Sequence, residues 1–165
     1  MRLYIDGTIS DSLTATLTVG GSSSTPLTLG YHPAYSSRGW NGRVDEVRIW
    51  DTLRSSSQIK NNRDSEFCNL SVPHLVGYYK LDEGTAQSSN FGVTTAKDYS
   101  SSKQNGALLN LSLSGSSSNW HTGKSLSQDT TIYRDSSSNC GPYYDLDLKQ
   151  FVSNTNNFTK HFVSY

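Results

Sequence analysis

The chain has 165 residues, of which 33% are hydrophobic and 17% charged, and fourteen basic side chains balance fourteen acidic ones. This balance gives no overall field that would attract nucleic acid or an anionic membrane, and no run approaches the roughly 18 apolar residues of a transmembrane helix. The composition therefore argues against a nucleic-acid binder, a membrane-spanning protein and a long helical bundle. Ten tyrosines, five phenylalanines and three tryptophans argue against a disordered chain.

The first 40 residues show the patterns of short strands and loops. A strand from Arg2 to Asp6 ends in an Asp-Gly turn signal, and the alternation of leucine, alanine and valine with threonine predicts a second strand from Thr14 to Val19. Residues 20–26 are rich in glycine and serine and predict a loop. Residues 27–30 predict another short strand, and residues 31–39 a second loop.

Residues 41–50, Asn-Gly-Arg-Val-Asp-Glu-Val-Arg-Ile-Trp, carry the most information. Strand periodicity places Asp45, Val47 and Ile49 on one face, and Glu46, Arg48 and Trp50 on the other. This pattern is typical of a strand between two sheets with one carboxylate turned inward to hold a neighbouring loop. Residues 51–59 predict a turn followed by one short helical stretch.

After residue 63 the strand pattern lapses, and residues 64–74 are predicted to be a linker. Residues 75–84 read as a strand that runs into a turn, residues 98–106 as a loop, and residues 107–113 as a strand with leucines at 109, 111 and 113. Residues 129–165 contain too few regularly spaced apolar side chains for an assignment.

Two segments resemble halves of the laminin-G-like, concanavalin A-like jelly-roll family. The strand Leu-Tyr-Ile-Asp-Gly at 3–7, the strand Gly-Arg-Val-Asp-Glu-Val-Arg-Ile-Trp at 42–50 and the helix after it are similar to the closing half of that domain. The strand that ends in Asp-Glu-Gly at 82–84, the Asp-Tyr-Ser-Ser at 98–101 and the Asn-Gly-Ala-Leu at 105–108 are similar to its opening half. The resemblance implies an all-β fold, an antiparallel two-sheet jelly-roll sandwich, with Val47, Ile49, Trp50, Tyr79 and Leu81 in its core.

The halves occur in reverse order, which predicts a division into residues 1–63, the linker 64–74, residues 75–128 and an unassigned extension 129–165. Either the chain is a stretch of a tandem array of such domains, or it is a permuted domain whose two halves complete each other. We favour the tandem array, because the chain begins inside a strand.

Cysteine usage and glycosylation sequons indicate an extracellular or cell-surface location. Cys68 and Cys140 are 72 positions apart, which fits no zinc knuckle and no Cys-x-x-Cys redox pair, and they are either two unrelated thiols or a disulfide. We predict the disulfide. Sequons at Asn69, Asn110 and Asn157 predict N-glycosylation.

The sequence offers no catalytic constellation, and we predict that the protein is not an enzyme. Retaining glycoside hydrolysis needs two carboxyl groups about 5–5.5 Å apart, whereas the adjacent Asp45 and Glu46 are expected on opposite faces of a strand. The four histidines lie far apart in the sequence without a nucleophile elbow, at His32, His74, His121 and His161.

Two kinds of binding site remain as hypotheses. Asp98 and Asn105 supply oxygen ligands on a loop where the resembling family often binds calcium, although Ser101 replaces the glycine of the family's Asp-Ser-Ser-Gly motif. The alternative is that Asp98 caps a turn by accepting backbone hydrogen bonds. Tyr31, Tyr35 and Trp40 could form an aromatic platform for a sugar, and the alternative is that Trp40 and Trp50 pack in the core.

Together these features predict a non-catalytic extracellular structural, adhesion or recognition module of a larger repetitive surface protein or filament. Its partners would be neighbouring domains or subunits of that assembly, or glycans, with calcium as the candidate cofactor. The alternative is a carbohydrate-binding accessory module of a secreted hydrolase.

Overall fold

The computed structural model describes residues 1–14, 26–31, 39–40, 42–67, 72–111, 118–122, 127–128, 144–147 and 162–164. These residues form short strands and one helix, which confirms the predicted all-β class. The strands are β1 (Arg2–Ile5), β2 (Thr8–Ser12), β3 (Arg43–Val44), β4 (Val47–Trp50), β5 (Ser65–Glu66), β6 (Leu75–Tyr79), β7 (Thr95–Ala96), β8 (Gly106–Leu108), β9 (Trp120–Thr122), β10 (Ser127–Gln128), β11 (Tyr144–Asp147) and β12 (Phe162–Ser164). The helix is α1 (Ser56–Asn62). The strands pair as five small sheets, β1-β2, β10-β5, β3-β11-β9, β12-β8-β7 and β4-β6.

The first two strands form a tight hairpin. Asp6 and Gly7 both have positive φ, 51° and 74°, the combination that a two-residue turn between antiparallel strands requires. The chain therefore returns directly as β2, which the sequence pattern missed because Ile9 is the only apolar residue of that strand. The strand predicted from Thr14 to Val19 lies, apart from Thr14, outside the described residues.

The segment from 43 to 50 is two strands rather than one. Glu46 between them has a φ of 53°, an uncommon conformation for a side-chain-bearing residue, and it interrupts the strict alternation that the sequence predicts. Helix α1 begins at Ser56, within the residues 51–59 that predict a turn and a short helical stretch, and it continues to Asn62. Ser55 caps it by accepting a hydrogen bond from the Gln58 N–H, while the Gln58 side chain accepts one from the Ser55 N–H, which together form a capping box.

Strand β4 pairs antiparallel with β6, which joins the two segments that resemble opposite halves of one domain. In this register Val47 lies opposite Tyr79, and Ile49 lies opposite Gly77. A Cβ at residue 77 would lie 3.2 Å from the Ile49 side chain, so a glycine suits the close packing there. Residues predicted as a linker take part in the same region, since Phe67 and Val72 are buried.

The core consists of two clusters of buried side chains. In the first, Tyr79, Leu81 and Trp120 are buried with Ala96, and Val47 and Ile49 pack against them. In the second, Phe67, Leu75 and Tyr78 are buried with Val72, and Trp50 packs against them. All five side chains predicted for the core therefore contact it, on the two faces of the β4-β6 pair.

Later strands differ from the prediction in two places. The strand expected over 107–113 ends at Leu108, because Asn110 adopts a φ of 57° and turns the chain. The extension left unassigned over 129–165 contributes β11, which pairs with β3 and β9, and β12, which pairs with β8.

Candidate functional site

Trp40 is the exposed aromatic side chain of the predicted sugar platform. Its side chain is 57% exposed, while its backbone N–H donates a 2.9 Å hydrogen bond to the Gly30 carbonyl. A Cβ at Gly42 would lie 2.9 Å from Trp40 Nε1, so the indole lies directly against the backbone of residue 42. The hypothesis that Trp40 packs in the core is wrong, whereas Trp50 does pack there.

The other members of the predicted platform are placed only in part. Tyr31 is half-buried, and its carbonyl accepts a 2.8 Å hydrogen bond from the Thr28 hydroxyl. Because Trp40 bonds to the residue that precedes Tyr31, the backbones at the two aromatic residues lie close together. Tyr35 lies outside the described residues.

Asp98 organises the loop predicted for calcium. Its carboxylate is 2% exposed and accepts three backbone N–H groups, from Tyr78 at 2.9 Å, Ser100 at 2.8 Å and Gln104 at 2.8 Å. Burial alone would raise its pKa, but these donors outweigh that effect and lower the pKa below its usual value. This is the turn-capping arrangement that was the alternative to calcium binding.

Asn105 takes part in the same loop by a different contact. Its Oδ1 accepts a 2.9 Å hydrogen bond from the Asp98 N–H. Within the described ranges, no three His, Cys, Asp or Glu side chains are arranged to hold a metal ion. Calcium at Asp98 and Asn105 stays a prediction.

If calcium binds at Asp98 and Asn105, the midpoint of thermal unfolding rises with added calcium and falls with a chelator, because a ligand stabilises the state that binds it. The Asp98→Ala substitution should then remove that response.

Five polar side chains lie close together where β4 meets β6. We call them the seam cluster, and they are Glu46, Arg48, Glu66, Tyr78 and Lys80. The Tyr78 hydroxyl donates a 2.7 Å hydrogen bond to Glu46, and the Arg48 guanidinium donates to the same carboxylate. Arg48 also donates to the carbonyls of Ser65 and, at 2.7 Å, Asn62. Burial raises the pKa of Glu46, although Arg48 opposes the shift. The sequence predicts one inward-turned carboxylate in this segment without choosing between Asp45 and Glu46, and Glu46 is the one that bonds to Arg48 and Tyr78.

Glu66 and Lys80 form the other half of the seam cluster. Their side chains meet at 2.5 Å, and the residues are only 2% and 6% exposed. Sequence reasoning missed both, because Glu66 fell in the predicted linker and Lys80 is a charged residue near the end of the predicted strand. The four residues 78–81 are all buried, so this stretch shows no alternation of buried and exposed residues, and Leu81 has a positive φ of 58°.

Tyr99 lies beside the seam cluster and should titrate unusually late. Burial, together with the carboxylates of Asp82, Glu83 and Glu66, raises the pKa of its phenol to about 12. Its contribution to stability is therefore complete below the unfolded value near 10 and is lost as the pH rises toward 12. We expect the tyrosinate absorbance of the wild type and of Tyr99→Phe to differ by one chromophore that ionises near pH 12. A difference that develops near pH 10 would contradict this assignment.

The remaining predicted sites are only partly described. Asn110 is exposed on a turn after β8, as an accessible sequon requires, whereas Asn69 and Asn157 lie outside the described residues, as do Cys68 and Cys140. His74 contacts the exposed Asp51 at 2.8 Å, and His121 lies on β9. His32 and His161 are not among the described residues.

The comparisons with known proteins give one match. The family model of the concanavalin A-like lectin/glucanases superfamily, a laminin G type domain, matches residues 1–60. This match confirms the predicted resemblance for that part of the chain. Comparisons with curated proteins and with solved structures give no match. In the part of the chain that the structure describes, no helix has the length and apolar character needed to cross a bilayer.

Proposed function

We propose that this chain belongs to a non-catalytic extracellular recognition or adhesion module, within a larger repetitive surface protein or filament. The observation that carries the proposal is Trp40, a large aromatic side chain that is exposed while its backbone N–H is bonded to the Gly30 carbonyl. Exposed aromatic residues on a fixed backbone are typical of recognition surfaces, because they present a large contact area at little entropic cost. The family match over residues 1–60 supports this class.

The environment of the carboxylates supports a role without catalysis. A glycosidase needs a protonated and an ionised carboxyl group that both reach the substrate. Glu46 is held by Arg48 and Tyr78, Glu66 is held by Lys80, and Asp98 accepts three backbone N–H groups. These three acids serve the fold rather than an open cleft.

An extracellular location is supported by the family match and by the exposed sequon at Asn110. The predicted Cys68–Cys140 disulfide would agree with it, because disulfides persist in oxidising compartments. Intact mass with and without reductant, after alkylation, measures that bond. Two free thiols in the unreduced protein would contradict the disulfide.

A second candidate function is a carbohydrate-binding accessory module of a secreted hydrolase. The flat indole of Trp40 suits the apolar face of a pyranose ring, and the backbone of the half-buried Tyr31 lies close to that of Trp40. This function differs from the first in its ligand, which would be a glycan rather than a neighbouring domain or subunit.

A glycan array together with sedimentation velocity separates the two functions. Saturable glycan binding that Trp40→Ala abolishes favours the carbohydrate-binding module. Self-association that depends on Trp40, without glycan binding, favours the adhesion module. Phe91→Ala is the matched control, because Phe91 is also an exposed aromatic residue, at 69%, on a different loop. If Trp40→Ala changes neither property while the wild type shows one of them, Trp40 is not the recognition residue.

A further inference from the structure

The Lys80–Glu66 pair brings a nucleophile and an acyl group together in the interior. Lys80 Nζ lies 2.5 Å from Glu66 Oε1. The second carboxyl oxygen, Oε2, is buried and has no hydrogen-bond partner among the described residues. An ordinary buried ion pair is stable when further hydrogen bonds satisfy its remaining oxygen. This pair lacks that support within the described part of the chain.

Two aromatic rings flank the amine of the pair. Lys80 Nζ lies 5.0 Å from the ring centroid of Tyr99 and 5.9 Å from that of Tyr78. Glu66 and Lys80 are only 2% and 6% exposed, so water has little access to the two reacting groups. Burial also raises the pKa of Glu66, although Lys80 opposes the shift, so this carboxylate accepts a proton more readily than an exposed one.

A second carboxyl group stands close to the pair. Glu46 interacts electrostatically with both Lys80 and Glu66, and it is held in place by hydrogen bonds from Arg48 and Tyr78. Glu46 is the second carboxyl group of the seam cluster and the candidate for transferring a proton between the amine and the acid.

We propose that Lys80 and Glu66 form an intramolecular amide bond, a covalent cross-link that the folded chain makes by itself. Proton transfer within their hydrogen bond gives an amine and a carboxylic acid. The amine nitrogen adds to Cδ of Glu66 and forms the new N–C bond. The C–OH bond then breaks, and the hydroxyl group leaves with a proton from the nitrogen as one molecule of water. Glu46 relays that proton, and the reaction involves no oxidant and no other reactant.

The position of the cross-link gives it a mechanical role. It joins β5, which follows the first family-like segment, to the residue directly after β6, which opens the second. Fixing the two reacting groups side by side makes the condensation effectively unimolecular, and exclusion of water hinders hydrolysis of the product. A bond at this point would hold β5 and the end of β6 together under tension, which suits the proposed function as a module of a surface filament.

Mass spectrometry of the wild-type protein tests the proposal. After reduction and alkylation, the intact mass should be one water molecule lower than the mass calculated for the sequence with both cysteines alkylated. Trypsin should fail to cleave at Lys80, so that residues 64–97 appear as one peptide that lacks one water. A further cut at Phe67 or Tyr78 should leave the two pieces joined. Loss of water located at Asp6-Gly7, or an intact mass equal to that calculated mass, would overturn the proposal.

Two variants separate the chemistry from the packing. Lys80→Arg keeps the positive charge but supplies no amine nucleophile, so its mass should equal the mass calculated for its own alkylated sequence. Glu46→Gln keeps hydrogen-bonding capacity but removes the proton relay, so a larger fraction of uncross-linked protein is expected than in the wild type. If either variant fails to fold, as judged by circular dichroism, the wild-type peptide map alone decides the matter. A water loss that persists in Lys80→Arg would contradict the assignment to Lys80.

Discussion

Asp98→Asn is expected to destabilise the fold by about 3 kcal/mol, because it removes charge-assisted hydrogen bonds to buried backbone groups. The asparagine Oδ1 can still accept from the N–H groups of Tyr78 and Ser100, which both bind one carboxylate oxygen. The other oxygen, which accepts from Gln104, would become an NH₂ group that faces a donor. Thermal unfolding should show a midpoint lower by about 10 °C.

The pH dependence of the stability lost in Asp98→Asn identifies the cause of that loss. The pKa of Asp98 is lowered in the folded state, so its contribution is present above the unfolded value near 4 and is lost as the pH falls through the folded value. The difference in stability between wild type and Asp98→Asn should therefore shrink in acid. Asp51→Asn is the control, because Asp51 is exposed and its removal should change stability little. Equal effects of the two substitutions would contradict the capping role.

Gly84→Ala is the second substitution with a large expected effect. A Cβ at residue 84 would lie 2.3 Å from the indole of Trp120, a side chain that is completely buried. Trp120 or the backbone must move to accommodate the methyl group, and overpacking of this kind costs about 3 kcal/mol at the upper end of its usual range. Urea unfolding measures the change as a lower transition midpoint.

Gly92→Ala is the matched control for this substitution. Nothing lies within 4 Å of a Cβ built at Gly92. An alanine there should leave the stability unchanged or raise it slightly, because alanine lowers the conformational entropy of the unfolded chain. A loss of stability in Gly92→Ala as large as that in Gly84→Ala would show that the contact with Trp120 is not the cause.

The sequence predicts those parts of the fold that local patterns determine. The strand Arg2–Ile5 and the Asp-Gly turn follow from propensity and turn chemistry, and the start of α1 follows from Ser55 and Gln58. Four of the five predicted core side chains lie on β4 or β6, and the fifth, Leu81, follows β6 directly; all five contact the core because they are large apolar residues on or beside this strand pair. The glycine of the Asp-Glu-Gly motif is explained only by the structure, through its contact with Trp120.

The sequence cannot predict features that depend on distant contacts. Glu46 adopts a positive φ that places its carboxylate against Arg48 and Tyr78, and local pattern gives no sign of it. Glu66 and Lys80 are polar residues that become buried only because each supplies the other's charge partner. A linker pattern and a buried polar segment look alike in sequence, since the difference lies in what packs against them.

Native-state hydrogen exchange across β4 and β6 tests most directly whether the segments on either side of residues 68–71 share one core. The two strands bond to each other and contact both buried clusters, so the amides that join them should open with a single free energy, equal to that of global unfolding. Phe91→Ala should leave these rates unchanged, because Phe91 is exposed. Rapid exchange of the Val47–Trp50 amides while the Leu75–Tyr79 amides remain protected would contradict a shared core.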